Sequence, residues 1–273
     1  MRLRATVCQL RNTPADFAAD WETLVEHVQS QRSELVVLPE LAFAPWFAVE
    51  QPFKQATWDA AVAAHNFGMQ QLSDLGPAIV LGTRPVNTAG GARRNQGFVW
   101  DAEQGYRAVH EKYYLPDEPG FWEASWYGRG DGTFAPFECG VARAGMQICT
   151  ELWFMQHARA YGQAGVHLLA VPRATPGTSL DKWLTAGRVA AMISGAFVLS
   201  SNPLSRPTAL ADLGGQGWII DPDGNVLALT SEEQPIITCT RKRRPRPPVA
   251  ANSSRYAWHA RCFLPCKTKF PRG

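Results

Sequence analysis

The 273-residue chain has no long apolar run. Its most hydrophobic stretch, VAAMISGAFVLSS (189–201), is broken by serine and glycine and falls short of the roughly 20 residues that cross a bilayer. The amino terminus, MRLRATVCQLRN, lacks the continuous apolar segment of a secretory signal. Both absences predict a cytoplasmic protein that does not engage a membrane. Cysteine is sparse and scattered, at 8, 139, 149, 239, 262 and 266, which does not suggest a disulfide framework. His259, Cys262 and Cys266 have no metal-ligand spacing, so no metal is expected. GRGDG (128–132) does not sit between a strand and a helix, so no phosphate loop and no cofactor are expected.

Acidic residues are missing from one end only. Residues 241–273 carry ten Lys or Arg and no Asp or Glu. The chain has 27 basic and 24 acidic residues, so with those ten set aside 1–240 holds 17 basic against 24 acidic. Basicity is thus local and does not predict a nucleic-acid-binding protein. Pro245, Pro247 and Pro248 forbid a regular helix there. These breaks divide the chain into a domain over 1–240 and a basic, proline-rich tail over 241–273, either a native extension or the product of a shifted reading frame.

Within 1–240 the pattern alternates. RLRATVCQL (2–10) reads as a half-buried strand, and Phe17, Trp21, Leu24, Val25 and Val28 follow at helical spacing. SELVVLPE (33–40) is a short strand of the kind buried on both faces. A helix over 56–75, a strand at 78–83 and a hairpin around DAEQG come next. A strand ending at Cys149 precedes helix 156–164, strand 167–172, helix 181–194, strand 196–202 and a hairpin around DPDG. Strands and helices in this order predict a layered α/β architecture with helices on both faces.

Three positions stand where a strand runs out into a loop. Glu40 ends LVVLPE, Lys112 lies in HEKYYLP, and Cys149 ends GMQIC. Together they suggest thiol acylation: a cysteine attacks a carbonyl or nitrile carbon, a carboxylate moves the proton, and an ammonium steadies the developing charge. Amides at the start of a following helix would favour the Cys149 thiolate. Residue type alone leaves other readings open: Cys149 as a core filler, Glu40 as a capping or solvated acid, Lys112 as a surface charge.

LVVLPELAF, HEKYYLP, GMQICTELWF and AGRVAAMISGAFVLSSN, in this order over residues 2 to about 240, resemble the nitrilase superfamily of carbon–nitrogen hydrolases. The resemblance implies an αββα sandwich of two mixed sheets that pairs through its outer helices into a homodimer. It also implies a general base at Glu40, an oxyanion-stabilising lysine at Lys112 and a nucleophile at Cys149. A second family glutamate fits Glu123 in GFWEASW, with Glu118 as the alternative, and the Thr150 N–H would complete the oxyanion hole. Glu151 is expected to hydrogen-bond behind the cysteine. Trp usually follows the cysteine in true nitrilases; Thr150 stands there here, which moves the expected substrate from a nitrile toward an amide or carbamoyl amine. A non-catalytic scaffold is the alternative of another class. Phe43, Trp46, Phe47, Trp122, Trp126, Trp153 and Phe154 flank the three loops and suggest an apolar pocket wall, while Arg173 in VPRAT could select a substrate carboxylate.

Overall fold

A computed structural model describes residues 2–140, 142–205 and 212–242. The basic tail from residue 243 onward, with the three residues weighed as metal ligands, lies outside the described residues.

Strand β1 (Arg2–Cys8) leads into helix α1 (Pro14–Gln31), which starts on a proline and buries Trp21, Leu24 and Val28. Strand β2 (Leu35–Val37) is followed by α2 (Gln55–Gln71), β3 (Ile79–Asn87), β4 (Arg93–Asp101) and β5 (Gly105–Glu111). The expected helix 56–75 gives way to a 3-10 turn at Leu72–Leu75. A one-turn helix α3 (Glu123–Trp126) and a short strand β6 (Phe137–Cys139), neither expected, precede β7 (Ala142–Met146). Then come α4 (Met155–Gln163), β8 (Leu168–Pro172), α5 (Leu180–Ser194), β9 (Phe197–Ser201), β10 (Trp218–Ile220), β11 (Val226–Leu229) and β12 (Ile236–Lys242).

The strands form two six-stranded mixed sheets, ordered β12-β1-β2-β3-β4-β5 and β11-β10-β9-β8-β7-β6. The period of two along β2 shows how they stack. Leu35 and Val37 face the second sheet, joining Ala144, Met146, Leu168 and Ala170 in one core. Val36 faces outward and packs with Trp21, Leu24 and Val28 of α1. All three are fully buried or nearly so, each worth about 1.5–3 kcal/mol of transfer free energy. On the far side Ala158 and Tyr161 of α4 and Trp183, Ala186 and Ala190 of α5 cover the second sheet. The result is the αββα sandwich.

Two differences from the sequence reading matter. The strand before Cys149 ends at Met146, three residues early, and Cys149 opens a 3-10 turn, Cys149–Trp153. At the other end β12 runs antiparallel to β1 as far as Lys242, opposite Arg2. The ladder therefore continues two residues past the compositional boundary, because backbone pairing does not depend on side-chain charge.

Candidate active site

Strands β1, β2 and β3 run parallel, and β5 runs parallel to β3 through two antiparallel steps. In the second sheet β7, β8 and β9 are parallel. Glu40 follows the end of β2 by three residues, Lys112 follows β5 directly, and Cys149 follows β7 by three. Parallel strand ends thus deliver all three to one end of the sandwich.

Lys112 is the hub. Its Nζ lies 2.7 Å from Glu40 Oε1 and 2.6 Å from Glu123 Oε2, with all three side chains fully buried. Tyr127 donates its hydroxyl to Glu123, and Asn95 Nδ2 donates to Glu40 Oε1 at 2.8 Å. Glu40 Oε2 is buried with no hydrogen-bond partner among the described residues. One oxygen of that carboxylate is therefore held by two donors while the other has no partner among the described residues. Glu123 is the buried member of the pair of candidate glutamates; Glu118 is exposed.

Cys149 is 3% exposed and adopts φ +50°, in the left-handed region that disfavours a side chain. Leu41, next to Glu40, has φ +49°. Such turns cost on the order of 1–3 kcal/mol each and persist where surrounding contacts fix them. Here the Leu41 N–H donates to Thr83 Oγ1 at 2.8 Å, and the Cys149 thiol points to the Ala174 carbonyl at 3.8 Å. The Thr150 hydroxyl donates to the Tyr114 carbonyl at 2.8 Å, which anchors the turn carrying the Thr150 N–H.

The charges are interdependent. Burial pushes the Cys149 thiol well above its ordinary value, Glu40 pushes it further, and Lys112 opposes both. The expected thiolate-favouring helix start is not what the structure provides: the turn is only five residues long, and desolvation beside a carboxylate outweighs it. Burial alone would lower the Lys112 ammonium, but Glu123 and Glu40 hold it above its ordinary value. Burial pushes Glu123 up to about 7, with Lys112 opposing and Glu40 adding to the rise.

The aromatic residues divide. Trp46, Phe47 and Trp126 pack in a buried cluster with Trp58 and Tyr127, and Phe43 packs with Trp21. Trp46 is only 7% exposed and donates Nε1 to the Gly120 carbonyl, so it supports the glutamate loop as core rather than forming an open wall. Trp122 is half-buried on that loop, whereas Trp153 is 46% exposed with its ring 4.9 Å from Trp183. Arg173 is fully buried; its nitrogens donate to Ser200, Thr175 and the Gln216 carbonyl, each at 2.7 Å, and it stacks 3.7 Å from Trp218. Burial pulls its guanidinium down to about 9. Asn95 and Tyr127 were not singled out in the sequence, because their contacts with Glu40 and Glu123 cross strands and loops that no local pattern links. A cavity of about 710 Å³ lies at the opposite end, where Leu35 and Ile79 begin their strands, and touches none of these residues.

Among the described residues no helix is long and apolar enough to cross a membrane, and no group of three or more His, Cys, Asp or Glu could hold a metal.

N-carbamoylputrescine amidase of Arabidopsis thaliana is 26% identical over 226 residues, covering 76% of this chain and 74% of that one. Omega-amidase NIT2 of Mus musculus is 26% identical over 246 residues, 86% of each chain. The match to a glutamine-dependent NAD(+) synthetase of Rhodobacter capsulatus, at 28% identity, covers 82% of this chain but only 41% of the longer one. The crystal structure of a carbon-nitrogen hydrolase from Helicobacter pylori G27 shares the fold with a TM-score of 0.78 at 20% identity, covering 88% of this chain and 89% of that one. The carbon-nitrogen hydrolase profile matches residues 4–244, and the chain belongs to that family, within the nitrilase superfamily.

Proposed function

We propose that this hydrolase cleaves amide-type carbon–nitrogen bonds, releasing ammonia, through a thioester on Cys149. The observation that carries the reading is the buried Glu40 carboxylate, one oxygen held by Lys112 and Asn95 and the other unpartnered. Because burial and Glu40 keep the thiol protonated, the nucleophile needs a base during attack, and Glu40 Oε2 is that base. Cys149 Sγ adds to the carbonyl carbon as its proton passes to Glu40. Lys112 Nζ and the Thr150 N–H take the negative oxygen. Glu40 returns the proton to the departing nitrogen, ammonia leaves, and a thioester remains. Water then adds to the thioester, giving its proton to Glu40, and the acid departs as the thiol is restored. Glu123 keeps Lys112 aimed throughout.

The two amidases above, at 26% identity, support an amide or carbamoyl amine as substrate, as does Thr150 after the nucleophile in place of tryptophan. An ammonia-release screen over primary amides, carbamoyl amines and nitriles tests this, with Cys149→Ala run in parallel. Turnover of amides or carbamoyl amines, lost in the variant, is expected. Turnover of nitriles alone would overturn the substrate class, and an active Cys149→Ala would overturn the site.

A further inference from the structure

His110 and Glu151 take no part in the steps above, yet both are buried, and Glu151 bonds to backbone beside Lys112 and beside Cys149. The alternation of β5 explains the first. His110 stands two residues before Lys112, so both leave the strand on its inner face, while Glu111 between them points out to Arg94 at 3.2 Å. Glu151 comes from the turn that begins with Cys149. Its Oε1 accepts the Tyr113 N–H at 2.7 Å, and its Oε2 accepts the Ile148 N–H and faces His110 Nε2, both at 2.7 Å. Tyr113 directly follows Lys112, and Ile148 directly precedes Cys149. The other ring nitrogen of His110 lies 3.1 Å from the Thr133 carbonyl. Both partners of the ring are oxygen atoms, so the ring is held in place from both sides.

We propose that Glu151, paired with His110, is a positioning residue that sets the register between Lys112 and Cys149. One carboxylate ties the backbone just after the oxyanion cation to the backbone just before the nucleophile. The two segments belong to different sheets, which is why a side chain is needed to join them. The inference rests on the catalytic reading given above. Glutamine is nearly isosteric but cannot replace the acid. Every partner is a donor, so an amide NH₂ must face the N–H of Tyr113 or of Ile148 and leave one without an acceptor.

The test is Glu151→Gln on a substrate found in the ammonia screen. A lost tie lets the pair drift, and kcat is expected to fall ~10-fold or more with KM changed less than ~3-fold. Alkylation of Cys149 by iodoacetamide, followed on its own peptide by mass spectrometry, builds no oxyanion and is expected to stay within ~3-fold of wild type. An unchanged kcat overturns the proposal. So does alkylation that falls in step with kcat, since Glu151 would then act on the thiol itself. Should Glu151→Gln not fold, His110→Gln keeps a donor toward Glu151 but removes the ring and its tie to Thr133. Its kcat is expected to fall ~3–10-fold, and wild-type turnover there overturns the pairing. Cys149→Ala separates the two readings: if it stays active the catalytic reading fails, and if it is dead while Glu151→Gln turns over normally only the positioning role fails.

Discussion

Replacing Lys112 with methionine removes the cation that faces two buried carboxylates. Nζ lies 2.7 Å from Glu40 and 2.6 Å from Glu123, and none of the three side chains is exposed. Breaking a buried pair by removing one partner costs about 3–5 kcal/mol. For a domain of this size that lowers Tm by on the order of 10 °C. The loss should depend on pH in a definite direction. Glu123 is raised from 4.5 to about 7, so its proton is bound more tightly in the folded state than in the unfolded one. Its contribution to stability is therefore complete below 4.5 and is lost as pH rises through about 7. Lys112 is the main group opposing that rise. Without it burial and the charge of Glu40 act unopposed, the titration moves above 7, and the variant keeps losing stability where the wild type has levelled off. Each proton retained is worth ~1.4 kcal/mol per pH unit, so the variant should lose a further ~2 kcal/mol between pH 7 and 8.5. Denaturant unfolding of both proteins at several pH values measures it. Parallel stability curves above pH 7 would refute the reasoning. Turnover should fall ~10²–10³-fold as well, the scale of a lost oxyanion donor.

Three further outcomes are expected. Cys149→Ala should abolish turnover, a loss of at least ~10³-fold, while thermal unfolding stays cooperative; an acyl adduct seen by mass spectrometry on any peptide other than the one holding Cys149 would count against the nucleophile. Tyr127→Phe removes a hydrogen bond that lowers Glu123, so the Glu123 limb of the pH profile of kcat/KM should move to higher pH, with turnover at the optimum within ~10-fold of wild type. An unmoved limb would disconnect Tyr127 from catalysis. Deleting residues 244–273 leaves β12 and its pairing with β1 intact and should keep turnover per folded site within ~2-fold, whereas lost catalysis in a folded truncation would bring the tail into the site.

The sequence by itself determined the layers and picked out the three strand-end positions on which the proposed chemistry rests. Period-two runs such as Leu35–Val37 and the helical spacing of Trp21, Leu24 and Val28 are local signals, and burial on one face or both follows from them directly. Glu40, Lys112 and Cys149 were legible because each stands at a strand end in a segment with a recognisable order. What surrounds them was not. Asn95 on Glu40, Tyr127 on Glu123 and the joining of His110 to Glu151 are contacts between elements far apart in the chain, formed only when the sheets stack. Nor could sequence say which of the flanking aromatics would be core. Trp46 and Trp126 read as pocket candidates until their ring N–H groups are seen bonded to the carbonyls of Gly120 and Glu50 in a closed cluster. The protonation of Cys149 is the plainest case. A strand end followed by a helix start suggests a thiolate, but burial beside Glu40 reverses it, since desolvation is a property of the packed site and of no single residue in it.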